Sequence, residues 1–331
     1  MNIEARISAF IQLADKIKRL SNDELEDLYS RAEAENAWFT KENIERALFG
    51  ISYQLDEDKL NQWLSKYQLE PEIPKIVGIV MAGNIPLVGF HDLLCVLISG
   101  HFAAIKASSQ DSFLINKIIS WLLEIEPGFK KSLELRERLT GIDAVIATGS
   151  DNTARYFEHY FKDIPSIIRK NRSSVAVLTG NETAQELKAL GKDIFWYFGL
   201  GCRNISKLLV PKGYKPDFLF ESIQEFEPVI HHHKYRNNYD YNKSIYLVNS
   251  EPHLDTGFLM WRKTEELVSP ISVMYAQEYE STGEIQDILN AHKDKIQCVV
   301  GRDYIPFGKA QLPELWDYAD KVDTLKFLAA L

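Results

Sequence analysis

Polar and apolar positions follow two different rhythms along the chain. The opening stretch, MNIEARISAFIQLADKIKRL, has the spacing of an amphipathic helix, and residues 3–67 as a whole predict helices joined by short turns. SNDE, from Ser21 to Glu24, carries a capping-box pattern, and Thr40 can cap the helix that follows Trp38 and Phe39. From Lys75 onward short apolar runs alternate with helical segments. KIVGIVMAG, FAAIKAS and DAVIATGS predict strands, with helices over 86–99, from Asp111 and from Asp151. A second series follows: SSVAVLTG, a helix over 182–198, KLLVP, further helices, FLMW, ISVMYA, a helix from Glu278, and QCVVG. This alternation specifies βαβ units and parallel sheets. The expected fold is therefore α/β, with two doubly wound parallel-sheet domains, the first preceded by the helical segment. The expected partition is 1–173, 174–305 and a C-terminal tail over 306–331.

Composition narrows the function classes. A chain of 331 residues, 45% hydrophobic and 26% charged, is an ordinary globular protein rather than a disordered one. Its formal charge of −9 argues against a general nucleic-acid binder, while leaving room for a local basic pocket that takes a phosphorylated small molecule. Cys95, Cys202 and Cys298 are sparse and show no metal-ligand spacing, which points to a reducing compartment and to no metal site. The N-terminus lacks the basic head and cleavage site of a signal peptide. The most apolar region, 85–105, is interrupted by His91, Asp92, Gly100 and His101 and makes a poor membrane span. A cytoplasmic protein without a membrane span is expected.

In open α/β sheets ligands bind beyond the carboxyl ends of the strands, so the residues after each strand carry the candidate chemistry. Asn84 in MAGNIPL can donate an amide N–H to a developing oxyanion, or simply serve as a turn residue. Lys106 in IKASSQD can meet a ribose or phosphate, or be a solvated cation. Gly149 and Ser150 open a helix whose first amides can take a phosphate, or Ser150 is only an N-cap. The stretch FGLGCRNISKLLVP sets Cys202 behind Gly199 and Gly201. Its Gly-x-Gly follows a helix and precedes a strand, the reverse of a dinucleotide fingerprint. These glycines thin the backbone so that a reactant can approach the thiol, unless Cys202 is a buried structural cysteine. HHHKY, His231 to Tyr235, suits a helix start better than a metal site, because adjacent helical histidines face different ways. Arg169, Lys170 and Arg172 either meet the phosphates of a ligand or form a charged turn. His91, His101 and Cys95 read as packing residues.

Taken in order, these motifs resemble the aldehyde dehydrogenase superfamily, over roughly residues 75–270. MAGNIPL resembles its Asn-containing oxyanion motif, GHFAAIKASSQD the strand with the cofactor-binding lysine, and DAVIATGSDNTAR its Thr-Gly-Ser turn. GLGCRNISKLLV falls where the nucleophilic cysteine loop belongs. EELVSPISVMY resembles the segment whose second glutamate, here Glu266, grips the nicotinamide ribose. The compact length and the ending IPFGKAQLPELWDYADKVDTLKFL resemble the LuxC-type acyl-CoA reductases. The resemblance implies catalytic roles for Cys202 and Asn84, and cofactor contacts from Ala82, Lys106, Ser109, Gly149, Ser150 and Glu266. It also makes 1–173 the cofactor-binding domain and 174–305 the catalytic one.

Departures from the superfamily pattern refine what is expected. Where a Glu-Leu-Gly-Gly motif supplies the base that activates water, this chain has Ile168. Ser109 stands three residues after the lysine, where an acidic residue would bind both ribose hydroxyls of NAD, so NADPH is expected, with NADH as the alternative. The hairpin that bridges subunits is not evident before KIVGIVMAG, and the oligomeric state is left open. The activity implied is reduction of an acyl-CoA, or of an acyl group passed on by a donor protein, to an aldehyde. The alternatives are a CoA-acylating or hydrolytic aldehyde dehydrogenase and a non-catalytic subunit that keeps the fold to hold a partner.

Overall fold

The computed structural model describes residues 1–331. Four helices open the chain: α1 (Ile3–Lys18), α2 (Asn22–Glu35), α3 (Lys41–Gln54) and α4 (Glu57–Leu64). The caps expected at two of them are formed. Ser21 and Glu24 satisfy each other's main-chain N–H groups, and Thr40 accepts from the Asn43 N–H. The alternating region begins with β1 (Ile76–Val80), α5 (Phe90–Ile98), β2 (Phe102–Lys106) and α6 (Ser112–Ile125). It continues with β3 (Leu133–Leu135), β4 (Ala144–Thr148), α7 (Asp151–Tyr160) and β5 (Ser166–Arg169). The second series runs β6 (Ser173–Val177), α8 (Ala184–Phe195), β7 (Ile205–Pro211), α9 (Asp217–Ser222) and α10 (His233–Val248). After these come β8 (Leu254–Asp255), β9 (Met260–Lys263), β10 (Val273–Tyr279), α11 (Thr282–Ala291), β11 (Ile296–Val300) and α12 (Thr324–Ala329).

Several boundaries differ from the sequence expectation for local reasons. The helix expected over 86–99 starts only at Phe90, because Leu87 takes a left-handed backbone, φ 59°, within the turn that follows Asn84. β10 runs to Tyr279, so the helix expected from Glu278 begins at Thr282, where Ser281 caps it. The helix expected over 182–198 stops at Phe195, since Tyr197 and Phe198 are both left-handed, φ 53° and 57°. The short strands β3 and β5 lack a long apolar run and escaped the pattern.

The chain divides into two units, one made of residues 1–171 with 313–331 and the other of 172–312. The segment from 306 is thus shared between them rather than standing alone. In the first unit the sheet order is β3-β2-β1-β4-β5, with every pair parallel. Alternate strand residues serve opposite faces. Ile79, Ile105 and Ile146 join Phe10, Leu13, Trp63 and Leu94 in one core, whereas Ala104, Val145 and Ala147 face Phe161 in another. Each such large side chain contributes about 1.5–3 kcal/mol on burial. The C-terminal segment is pinned to the same unit, where the Trp63 indole N–H donates to the Tyr318 hydroxyl at 2.8 Å and Lys59 pairs with Glu314 at 2.7 Å.

In the second unit the order is β11-β6-β7-β10-β9-β8. Five strands are parallel and the two-residue β8 is antiparallel to β9, so this sheet is mixed rather than wholly parallel. Leu208 and Val210 of β7 pack into one core with Leu187, Leu190 and Phe258, while Leu209 packs with Val175 and Ile285. No helix of the protein is long and apolar enough to cross a membrane.

Candidate active site

In the first unit β1 and β4 are neighbours whose following connections depart to opposite sides, toward β2 and β5 respectively, which marks the ligand crevice of a doubly wound sheet. Ala82, Gly83 and Asn84 follow β1, Lys106 ends β2, Ser109 lies three residues on, and Gly149 and Ser150 follow β4. Asn84, Lys106, Ser109 and Ser150 are exposed there, and Ala82 and Gly149 are half-buried. Gly83 is required by close approach: a Cβ at that position would lie 2.5 Å from the Ser108 Oγ. The turn bearing Asn84 is clamped from several sides. Met81 N–H donates to the Lys106 carbonyl at 3.0 Å, the Asn36 amide donates to the Gly83 carbonyl at 3.2 Å, and Leu87 N–H donates to Asp111 Oδ2 at 2.7 Å. Asp111 is fully buried, and desolvation pushes its carboxyl up to about 8, the Leu87 N–H opposing that shift. Ser150 caps α7 through the Thr153 N–H, so its hydroxyl is engaged structurally, and Asp151 in the same turn accepts from the Asn171 N–H at 3.1 Å.

In the second unit Cys202 is half-buried on the loop between α8 and β7, at the amino end of its sheet. The loop is tightly built. Tyr197, Phe198 and Gly199 are left-handed in succession, Gly201 has φ 94°, Leu200 N–H donates to the Tyr197 carbonyl, and Asn204 N–H donates to the Gly201 carbonyl. Phe198 stacks on the His232 ring with centroids 4.2 Å apart. Beneath the loop the Ser174 hydroxyl donates to the Cys202 carbonyl at 2.9 Å, lies 3.1 Å from the Cys298 sulfur, and accepts from the Cys298 N–H at 3.1 Å. Glu266 belongs to the loop between β9 and β10; its side chain is 63% exposed, with one oxygen 3.9 Å from the Arg262 guanidinium.

Other candidates take structural places. Arg169 is neither a surface cation nor part of a charged turn. It is buried, paired with Asp92 at 2.6 Å, and donates to the Ala319 carbonyl and the Thr324 hydroxyl, tying β5 to α5 and the C-terminal segment. Lys170 pairs on the surface with Glu158. Ile168 lies on β5, register-paired with Ala147. His91 bonds the Leu315 carbonyl and packs on Trp63 and Tyr318, and His101 is buried between Lys75 and Leu328. Cys95 is fully buried, and desolvation raises its thiol pKa well above the usual range. His232 caps α10, and no group of three His, Cys, Asp or Glu side chains is placed to hold a metal. Sequence reasoning missed Asp111, Ser174 and Lys207. Their common signal is a polar residue set against or inside an apolar strand or helix, as in SSVAVL and ISKLLVP.

The fold is similar to that of solved aldehyde dehydrogenases. The chain superposes on a Bacillus cereus aldehyde dehydrogenase in complex with NAD+ with a TM-score of 0.62 at 14% identity, covering 91% of this chain and 72% of that one. The glyceraldehyde-3-phosphate dehydrogenase of Methanocaldococcus jannaschii, complexed with NADP, matches with a TM-score of 0.59 at 14% identity, covering 88% of this chain and 74% of that one. Proline Utilization A from Corynebacterium freiburgense matches with a TM-score of 0.59 at 13% identity over 91% of this chain, which spans 37% of that protein's length. No curated protein matches the chain in sequence. The family model of acyl-CoA reductase (LuxC) matches residues 5–217, and the chain belongs to that family.

Proposed function

We propose that the protein reduces an acyl thioester, from acyl-CoA or a donor protein, to an aldehyde by way of an acyl group carried on Cys202. The observation that carries this reading is a half-buried thiol of a LuxC-family chain on a loop whose flanking Gly199 and Gly201 both take left-handed backbone. The Cys202 thiolate attacks the thioester carbonyl, the bond to the departing sulfur breaks, and coenzyme A leaves as a thiolate that takes up a proton. Asn84 is the side-chain donor for the carbonyl oxygen as it gains charge, and the Cys202 N–H is the main-chain one. Support for a dinucleotide in the first unit comes from the crevice at the β1/β4 switch, the exposed cation of Lys106 and the start of α7. Ala82, Lys106, Ser109, Gly149, Ser150 and Glu266 would hold it. NADPH, when bound, supplies a hydride. Ser109 brings no negative charge against a 2′-phosphate, which favours NADPH over NADH. Ile168 cannot deprotonate water, so the acyl group on Cys202 resists hydrolysis.

A panel of acyl-CoA thioesters offered with NADPH or NADH, followed by nicotinamide absorbance and aldehyde analysis, tests the proposal. Aldehyde formed in proportion to NADPH consumed is expected. Oxidation of free aldehydes without coenzyme A, and no reduction of any acyl-CoA, would contradict it.

A further inference from the structure

Strand β7 has two loops in its charge. It begins three residues after Cys202, and two adjacent side chains near its start grip the loop that carries Glu266. The Lys207 ammonium donates to the Glu265 carbonyl at 2.6 Å and to the Glu266 carbonyl at 3.0 Å, and the Ser206 hydroxyl donates to the Leu267 carbonyl at 3.2 Å. Three consecutive loop carbonyls are thus held from one strand. The Glu266 N–H is tied as well, to the Thr264 hydroxyl at 3.2 Å, so both peptide groups of Glu266 are fixed while its carboxylate stays exposed.

Lys207 is an expensive way to make these bonds. It is 0% exposed, stands immediately before the buried Leu208, Leu209 and Val210, and makes its contacts to main-chain oxygens rather than to a carboxylate. Burial pushes its ammonium down to about 8, only partly offset by the charges of Glu265 and Glu266. A buried ammonium without an ion-paired carboxylate is unfavourable, and an apolar side chain of similar length would stabilise the core better. Lys207 is therefore better accounted for by the loop it holds than by packing.

We propose that Lys207 is a positioning residue, fixing the main chain on either side of the Glu265–Glu266 peptide so that the Glu266 carboxylate is set for the ribose of the cofactor. This rests on the reading of Glu266 given under Proposed function. The role is exerted through Glu266 alone, so the two residues act as one unit in cofactor binding.

A double-mutant cycle on the full chain tests it, with the dissociation constant for NADPH read by fluorescence titration and folding checked by circular dichroism. Glu266→Gln is expected to weaken binding by about 10-fold, the loss of a hydrogen bond to a charged group. Lys207→Met is expected to weaken it by a similar factor without lowering the melting temperature, and the double variant to bind no worse than the weaker single one. Alkylation of Cys202 by iodoacetamide keeps its rate in Lys207→Met, which separates loss of loop position from collapse of β7. Where Lys207→Met does not fold, Lys207→Gln takes its place in the cycle. Wild-type affinity in the Lys207 variant beside weak binding in Glu266→Gln, or effects that multiply in the double variant, would overturn the role of Lys207 alone. Wild-type affinity in Glu266→Gln would overturn the cofactor role of Glu266, and this inference with it.

Discussion

The two units place their candidate chemistry at opposite ends of their sheets. In the first, Asn84, Lys106 and Ser150 follow the carboxyl ends of β1, β2 and β4. In the second, Cys202, Ser174 and the Glu266 loop lie at the amino ends of β7, β6 and β10. The carboxyl ends of β6 and β7 instead border a cavity of about 350 Å³ lined by Thr179, Gly180, Glu182, Lys212 and Tyr214, none of which is a nucleophilic thiol. A crevice at the carboxyl ends comes with the winding of a parallel sheet. A site at the amino ends has to be assembled from loops, and here buried side chains brace those loops: Ser174 under Cys202, and Ser206 and Lys207 under the Glu266 segment.

That contrast can be broken by substitution. The largest effect is expected from Cys202→Ala, which should lower turnover by at least ~10³-fold and abolish acyl labelling, while NADPH binding persists. Cys95→Ala and Cys298→Ala should retain labelling, and intact-mass analysis after acyl-CoA treatment reads all three. Next in size is Asn84→Ala, expected to cost ~10²-fold in turnover with the fold intact, as for loss of one oxyanion donor. Single-turnover rates check this, and an unchanged chemical step would remove Asn84 from the mechanism. Ser109→Glu should reverse the preference for NADPH over NADH by ~10-fold, about 1.4 kcal/mol, with the kcat/KM ratio of the two cofactors as readout. The smallest change is Ser174→Ala. It removes the donor to the Cys202 carbonyl and should destabilise the protein by about 1–3 kcal/mol in urea unfolding while slowing acylation by only a few-fold. A loss as large as that of Cys202→Ala would mean that Ser174 takes part in the chemistry itself.

How much of this was legible follows the same contrast. The capping box at Ser21, the apolar runs of β1, β2 and β4 and the order of the motifs are local signals, and the sequence carries them openly. The left-handed pair Tyr197 and Phe198 left no such mark, because the apolar helical spacing of Leu187, Leu190 and Ile194 runs on to Phe198, whereas the turn is set by tertiary contacts such as the stack of Phe198 on His232. β3 and β5 are too short for a hydrophobic period to emerge. Arg169 looked like surface charge because its partners, Asp92 and the 319–324 segment, are distant in sequence. Lys207 shows no sign of its role in the sequence for the same reason: the loop it holds lies about 60 residues further on.

In the proposed reaction the acyl group waits on Cys202 for hydride rather than for water. A single-turnover experiment with stoichiometric acyl-CoA tests it most directly, analysing the Cys202 peptide by mass before NADPH is added and the released product afterwards. An acylated Cys202 peptide is expected to persist without NADPH, because Ile168 offers no general base and such assistance is worth roughly 10²- to 10⁴-fold. Aldehyde is then expected in equal amount once NADPH is present. Free fatty acid as the main product, or an acyl group found on any residue other than Cys202, would contradict it.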